Sequence, residues 1–404
     1  MRKTVRVLVI FVLALAVYWG TAVWFKGADT PDTAYFNHLA DAFLNGQLYL
    51  AQPPSTHDLT QYNDHWYVPF PPLPALLMLP WVALAGLAAV QTVLFCALFG
   101  ALNVALIYLI LDGLTQRGWS KLNTTDNLWL TLLFGLGSVH WYMATIGSVW
   151  FVAQICTVTF VALAVWMAIW RPIGRGSPWL AGLALGLAMT GRPNVALIWL
   201  LLLGIGAMHL RTKDGQVAWP ALIRWAIASA IPPLVAIAAL LLYNKARFGN
   251  PLDFGYLTEN VADRLKELLD TYGQFNLHYV AKNFWAMWLA GPQWDAKLNF
   301  WVPDGQGMSL LLTTPALIYL VRARRPSALT ISAWVAVVTL LVPLLLYYNT
   351  GWYQFGYRFS LDFMTPVMVL LAIAAGERTT WSLRALILVG VVVNLYGVIW
   401  WYMR

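Results

Sequence analysis

The chain has 404 residues, 60% hydrophobic and only 10% charged, with a formal net charge of +8 and a mean hydropathy of +0.65. Soluble domains run near 45–50% apolar and about 25% charged, so this composition excludes a soluble globular protein and a nucleic-acid partner for the positive charge. The two cysteines, Cys96 and Cys156, both lie in apolar runs and exclude a metal site built on thiolates.

Apolar runs occur at 7–25, 88–113, 127–146, 150–170, 178–190, 194–210, 220–243, 308–321, 328–347, 363–376 and 384–402. A helix needs about 20 residues to cross a bilayer core of about 30 Å. The runs are continuously apolar rather than alternating, which reads as helices and not a closed barrel. The expectation is an all-α polytopic membrane protein of about eleven spans, a single membrane-embedded unit over 1–404. The first run, after "MRKTVRV", is longer than the apolar part of a secretion signal and reads as a retained helix with its basic end in the cytoplasm. The run "PFPPLPALLMLPWVALAG" at 69–86 carries five prolines, which argues against a plain spanning helix; it is placed along the outer surface.

With 69–86 not spanning, Arg2, Lys3, Arg6, Arg117, Lys121, Arg171, Arg175, Arg211, Lys213, Arg224, Arg322, Arg324, Arg325, Arg378 and Arg384 fall on one side, 15 of the 25 Lys and Arg. That is the pattern of positive cytoplasmic loops. Thirteen of the 17 acids lie on the other side, all but Asp112, Asp126, Asp214 and Glu377. They occupy the first outer segment 26–87 up to residue 70, the second outer segment 244–307, and Asp362, which precedes the last helices of 308–404. Long loops in a compact architecture are usually functional, so the working face is expected to be extracytoplasmic. Within 244–307, "ENVADRLKELLDTYGQF" spaces Val261, Leu265, Leu268 and Tyr272 as the apolar stripe of an amphipathic helix resting on the membrane.

Ionisable groups gather at outer helix ends. Asp29, Asp32, His38 and Asp41 follow the first span, with Asp64 and His65 further along the same loop. Either Asp29 or Asp32 also suits a helix cap. Arg192 stands in "TGRPNVAL", Lys245 and Arg247 in "YNKARFGNPLDFGY", and Arg358 in "NTGWYQFGYRFSLDF". These four cations run against the positive-inside bias, and charge at membrane depth is costly enough to signal function. Acids at one helix end and cations from three others suit an anionic ligand in the outer leaflet, such as a lipid phosphate. His140 reads as a satisfied interfacial histidine, His209 as a bystander, and "GLALGLAMTG" as close helix packing. Asp29, Asp64 or His65 would suit a divalent metal such as Mg or Mn, although no ligand spacing points to one.

The ordered set "AYFNHLADAFLNGQLYL", "YVPFPPLPALLMLP", "GRPN", "YNKARFGNPLDFGY" and "GYRFSLD" resembles the integral-membrane glycosyltransferases of GT-C fold that use polyprenyl-phosphate sugars. The nearest groups are the protein O-mannosyltransferases and the lipid A aminoarabinose transferases. That resemblance implies surface helices in the first outer loop, an extracytoplasmic active site and a first-loop acid as catalytic base. "DTAYF" matches the catalytic position best with Asp32, and Asp29 is second; "DTPDT" stands where an adjacent acidic pair is usual. It also implies a polyprenyl-phosphate sugar donor in a bacterial inner membrane. The chain lacks the soluble domains of the eukaryotic enzymes, so a glycan or glycolipid acceptor is expected rather than a protein. A phosphate leaving group needs no general acid, so one carboxylate base suffices. Cations then hold the phosphate, a role for Arg358, Arg192, Lys245 and Arg247, while Asp64, His65, Tyr35, Tyr357 and Trp352 shape the sugar and acceptor pocket. The competing expectation is a transporter or lipid flippase, which would call for ionisable groups at the bilayer midplane and discontinuous helices in matched halves.

Overall fold

The computed structural model describes residues 2–170, 177–212, 214–324 and 326–403. Arg171, Arg175, Lys213 and Arg325, counted above among the cytoplasmic cations, lie outside the described residues. The chain is mostly helical. In order come α1 (Lys3–Trp24), α2 (Phe36–Leu44), α3 (Leu73–Ala85), α4 (Thr92–Gln116), α5 (Thr124–Gly135), α6 (His140–Met143), α7 (Val149–Ile169) and α8 (Ser177–Met189). They continue with α9 (Trp199–His209), α10 (Trp219–Phe248), α11 (Asp263–Tyr272), α12 (Val280–Phe284), α13 (Leu310–Thr313), α14 (Ala328–Leu346), α15 (Leu361–Ala374) and α16 (Trp381–Tyr402).

Among the described residues six helices are long and apolar enough to cross a membrane: α1, α4, α7, α10, α14 and α16. The protein is an integral membrane protein. Each of the other apolar runs contains helix but is shorter or broken. The run 127–146 divides into α5 and α6 around Gly137, and 194–210 opens as a 3-10 turn, Pro193–Ile198, before α9. The run 308–321 divides in the same way, because Pro315 denies the helix a donor after α13. The proline-rich run becomes α3, 13 residues with Pro80 inside, about 20 Å long at 1.5 Å per residue and so shorter than a bilayer core.

Two small antiparallel hairpins qualify the all-helical expectation: β1 (Thr60–Tyr62) with β2 (His65–Tyr67), and β3 (Gln293–Asp295) with β4 (Phe300–Val302). The first turns through Asn63 and Asp64, both with positive φ (48° and 61°), the conformation that two-residue hairpin turns demand and that Asn and Asp tolerate. The amphipathic outer helix forms as α11, but it buries Leu265 and Leu269, beside Val261, against Tyr279 and Tyr348. Tyr272, expected on that apolar face, is 39% exposed. The helix therefore packs on protein, because the stripe continues at i+8 instead of i+11.

Glycines allow α8 and α10 to approach closely. Pro233 cannot donate to the Ser229 carbonyl one turn back in α10, and that carbonyl faces Gly182 of α8, where a Cβ would collide with it. Gly186 meets Pro232 in the same way one turn on.

Polar contacts sort the two ends of the bundle. At one end Lys3 pairs with Asp112 (2.6 Å), Arg117 donates to the Ile169 carbonyl (2.7 Å), and Lys121 pairs with Glu377 (2.8 Å). Asp126, which caps α5 together with Asn123, accepts from the Thr379 amide (2.9 Å) and Arg384 (3.4 Å) there. At the other end Phe25 stacks on Tyr402, Tyr402 donates to the Thr145 carbonyl (2.7 Å), and the Val149 amide donates to Thr33 (3.0 Å). The positive-inside rule makes the cationic end the one expected in the cytoplasm. A cysteine at Ser55→Cys should then react with a membrane-impermeant maleimide in intact cells, while Lys121→Cys reacts only after permeabilisation. Cys96 and Cys156, both 0% exposed, give no background, and the reverse labelling pattern would invert the orientation.

Candidate functional site

The end of the bundle away from the cationic loops encloses a cavity of about 250 Å³, near the lower limit of about 300–1,000 Å³ typical of small-molecule sites. Its polar lining is Asp58, Arg192, Asn194, Glu259, Gln274, Asn349 and Arg358, and aromatic rings including Trp150, Tyr256, Tyr347, Tyr348 and Trp352 form much of the rest. Asp58 comes from the first outer segment and Glu259 from the second. Arg192 follows α8 and Arg358 precedes α15.

Arg358 is 6% exposed. The Gln154 side-chain amide on α7 donates to the Arg358 carbonyl (3.0 Å). The Arg358 N–H donates to Gln354 Oε1 (2.8 Å) and Nε donates to the Gly351 carbonyl (3.0 Å). The guanidinium lies 4.6 Å from the Phe359 ring centre and 5.6 Å from that of Phe151. Among the described residues no carboxylate lies within 4.0 Å of it. Burial lowers its pKa to about 10, with Arg192 adding repulsion, so the group is still a cation at neutral pH.

Arg192 is differently placed. Its Nε and Nη2 both donate to Asp362 Oδ2 (3.1 and 2.8 Å), which also accepts from Asn194 (2.8 Å). Gln154 donates to the other oxygen of Asp362 (2.9 Å). Burial alone would lower the Arg192 pKa, and Asp362 outweighs it and holds it above the usual value. One guanidinium of the cavity is thus neutralised by protein and the other is not.

The two acids are brought together by backbone pairing. Asp58 N–H donates to the Asn260 carbonyl (2.9 Å) and Asn260 N–H to the Leu59 carbonyl (2.8 Å), with Thr60 bridged to Glu259. Asp58 takes a left-handed φ of 55°, which short polar side chains tolerate. Trp150 Nε1 donates to Asp58 Oδ2 (2.9 Å), and His57 Nε2 lies 3.6 Å from Oδ1. Burial raises the Asp58 pKa, opposed by His57, the Trp150 hydrogen bond and Arg358. Glu259, 3% exposed, accepts from Tyr348 Oη (3.2 Å) and is pushed well above the carboxylate range by burial and by Asp58. The cavity thus pairs an acid with a cation and two donors beside an acid that favours its neutral form.

The residues singled out in the sequence divide. Arg358, Arg192 and Trp352 line the cavity. Asp29 and Asp32 do not, and both are exposed; neither caps α2, whose first turn takes no side-chain hydrogen bond. Lys245 is exposed. Arg247 is buried away from the cavity wall, where it donates to the Val68 carbonyl (2.6 Å) and Asn244 (2.8 Å) and stacks on Tyr243. Asp64 forms the β1–β2 turn and His65 stacks on Tyr49. Tyr35 donates to the His57 carbonyl (2.6 Å), holding the backbone beside Asp58 rather than lining the pocket. Tyr357 is fully buried. His140 is held between Tyr18 and Asn103. Among the described residues no three His, Cys, Asp or Glu side chains cluster as metal ligands. Asp58 and Glu259 escaped the sequence reading because nothing in "STHDLTQY" or "LTENVAD" marks either acid apart from its neighbours. The one available signal was Asp362, four residues after Arg358 in "GYRFSLDF".

Comparison with solved structures gives the fold its class. The structure of ArnT from Cupriavidus metallidurans bound to undecaprenyl phosphate aligns over 92% of this chain and 60% of its own, at 14% identity and a TM-score of 0.53. The chain has the GT-C fold. It spans about 60% of the length of that structure. Two structures of the Archaeoglobus fulgidus oligosaccharyltransferase, one tethered with an acceptor peptide and one in the apo form, align over 97% of the chain and 54% and 55% of their own, at 12% and 11% identity and TM-scores of 0.45 and 0.47. No family model and no curated protein matches the sequence.

Within this GT-C fold, the Asp362 ion pair is a structural requirement of the cavity. Asp362→Asn leaves Arg192 without its counter-charge, and breaking a buried pair costs about 3–5 kcal/mol. The variant should melt several degrees lower in detergent, followed by tryptophan fluorescence; an unchanged melting temperature would show that the pair holds nothing together.

Proposed function

We propose that the protein is a glycosyltransferase that moves a sugar from a polyprenyl-phosphate donor to a hydroxyl acceptor, with the cavity as its active site on the extracytoplasmic face of a bacterial inner membrane. The observation that carries this reading is the buried Arg358 guanidinium with no carboxylate partner, in one cavity with Asp58. A desolvated cation of this kind favours an anionic ligand, and guanidinium geometry suits phosphate oxygens. The small cavity, with a few polar groups set in an aromatic lining, takes one sugar unit. The aromatic rings Trp150, Tyr256 and Trp352 offer it flat apolar faces.

Asp58 is the base in this proposal, in preference to Asp32. The acceptor O–H proton passes to the Asp58 carboxylate as the acceptor oxygen bonds to the anomeric carbon. The bond from that carbon to the phosphate oxygen breaks, and its electron pair leaves with the phosphate, held by Arg358 as charge develops. A single displacement inverts the anomeric centre. Glu259, neutral, donates a hydrogen bond to the sugar or acceptor. Arg192, already paired, positions Asp362 and the strand of chain leading to Arg358. The ArnT structure was solved with undecaprenyl phosphate, and its shared fold supports a lipid-linked donor for this chain. The charged groups of the cavity cluster at helix ends and not at mid-helix, which disfavours the transporter alternative.

Purified protein, given a radiolabelled polyprenyl-phosphate sugar and crude envelope acceptor, should transfer label. Asp58→Asn should lose about 10²–10⁴-fold in rate, the usual worth of a general base, whereas Asp32→Asn should keep most of it. Wild-type turnover by Asp58→Asn would remove Asp58 from the mechanism, and loss in Asp32→Asn alone would restore Asp32, the acid that the resemblance favours.

The acid limb of the rate follows from the same group. A carboxylate whose pKa is raised by burial is ionised only above that raised value, so activity should fall as pH drops through a midpoint above the ordinary Asp value of about 3.9. A rate independent of pH between 4 and 7 would contradict a buried Asp58 base, with those limits set roughly by ordinary carboxylate and histidine values.

A further inference from the structure

The hairpin β3–β4 exposes Trp294, Leu298, Phe300 and Trp301 by 51–68%. The Tyr396 hydroxyl on α16 donates to the Trp301 carbonyl (2.6 Å), and the Phe300 and Tyr396 rings meet at 6.2 Å. That contact fixes the hairpin's depth. Tyr396 lies six residues before the end of α16 at Tyr402, about 9 Å along the axis at 1.5 Å per residue. Helical side chains lean toward the helix N-terminus, which for α16 is toward the membrane interior. The hairpin therefore sits beside the flank of a spanning helix, below its end, and not above the membrane.

We propose that the aromatic face of β3–β4 is a lipid-contact surface lying at the boundary between headgroups and acyl chains of the leaflet at the cavity end. Several features point to that depth. Trp and other aromatic rings favour this boundary. Open strand edges are excluded from the hydrocarbon core, and here the polar tip is satisfied in place: Asp295 Oδ1 accepts from the Lys297 and Leu298 amides (2.8 and 3.1 Å). Lys297, exposed at the tip, reaches toward headgroup phosphates. Other large apolar side chains are exposed on neighbouring segments, Phe284, Trp285 and Leu289 just before the hairpin (40–64%) and Val392 and Leu395 on α16 beside Tyr396 (66% and 41%), which suits lipid beside the spanning helix that holds the hairpin. The connection behind it runs to the cavity. Gln293 donates to Asp304 (2.6 Å), the Gln354 amide to the Gly305 carbonyl (3.0 Å), and the Arg358 N–H to Gln354 (2.8 Å). Lipid contact at the hairpin thereby steadies the loop that carries Arg358.

The test is a nitroxide spin label on the full chain in phosphatidylcholine nanodiscs. L298C is the test site and E267C, on the exposed face of α11, is the aqueous reference; Cys96 and Cys156 are 0% exposed and stay unlabelled. The label on L298C should collide with oxygen more than with a water-soluble nickel chelate, and the label on E267C should show the opposite order. Equal nickel access at the two sites would put the hairpin in water and overturn the proposal. Dipolar broadening between L298C labels on two chains would overturn it in favour of a second copy covering the patch. Neither result depends on catalysis, so failure here is separate from failure of the transferase reading.

Discussion

Removing a cation from water costs several kcal/mol, and a protein interior holds one only where something answers its charge. Two guanidiniums sit at the cavity end of this bundle. Asp362 answers Arg192, with Gln154 and Asn194 completing the carboxylate's hydrogen bonds. Arg358 is held by a carbonyl, an amide oxygen and two aromatic faces, none of which carries a full negative charge. Its position is set by backbone contacts to α7 and to the 349–354 loop rather than by an ion pair. The charge stays available to whatever enters the cavity, and this is what gives the site its polarity.

The two acids acquire different characters from the same fold. Backbone pairing between 58–60 and 259–260 brings them into one cavity, but their surroundings differ. Asp58 has the Trp150 N–H, the His57 ring and the field of Arg358 to stabilise its charge, whereas Glu259 has a tyrosine hydroxyl and the repulsion of Asp58. Neighbouring carboxylates whose environments push their pKa values apart are how acid and base roles are divided in one site. That division comes from the partners each group meets, since Asp and Glu differ little in water.

Much of the fold was legible in the chain. Every apolar run contains helix, because a long continuous stretch of large apolar side chains has few other ways to satisfy its backbone in lipid. Lengths were less legible. Gly137, Pro193 and Pro315 interrupt runs that hydropathy alone reads as continuous, and the two hairpins are too short to leave a periodic signal. Of the four outer cations singled out in the sequence, Arg192 and Arg358 line the cavity and Lys245 and Arg247 do not, and neither cavity acid was singled out. Arg192 and Arg358 stood out because positive charge at an outer helix end contradicts the general charge bias. Asp32 stood out by its place after the first span, yet the chain turns through Thr33, whose carbonyl accepts from Val149, and leaves Asp32 exposed while the later loop carries Asp58 to the cavity.

The sequence by itself determined that this is a helical membrane protein with most of its basic residues expected at one end and most of its acids and aromatic loops at the other, since hydropathy and charge act through composition over many residues. The tertiary structure alone decided which of thirteen outer acids share a cavity with Arg358, that Arg192 is neutralised by Asp362, and that Arg247 serves the backbone of residue 68 instead of the cavity. Those outcomes depend on contacts between segments as far apart as 58 and 260 or 192 and 362. The energies that select them are Coulombic and hydrogen-bonding terms of a few ångströms' range, which the order of residues along the chain does not encode locally.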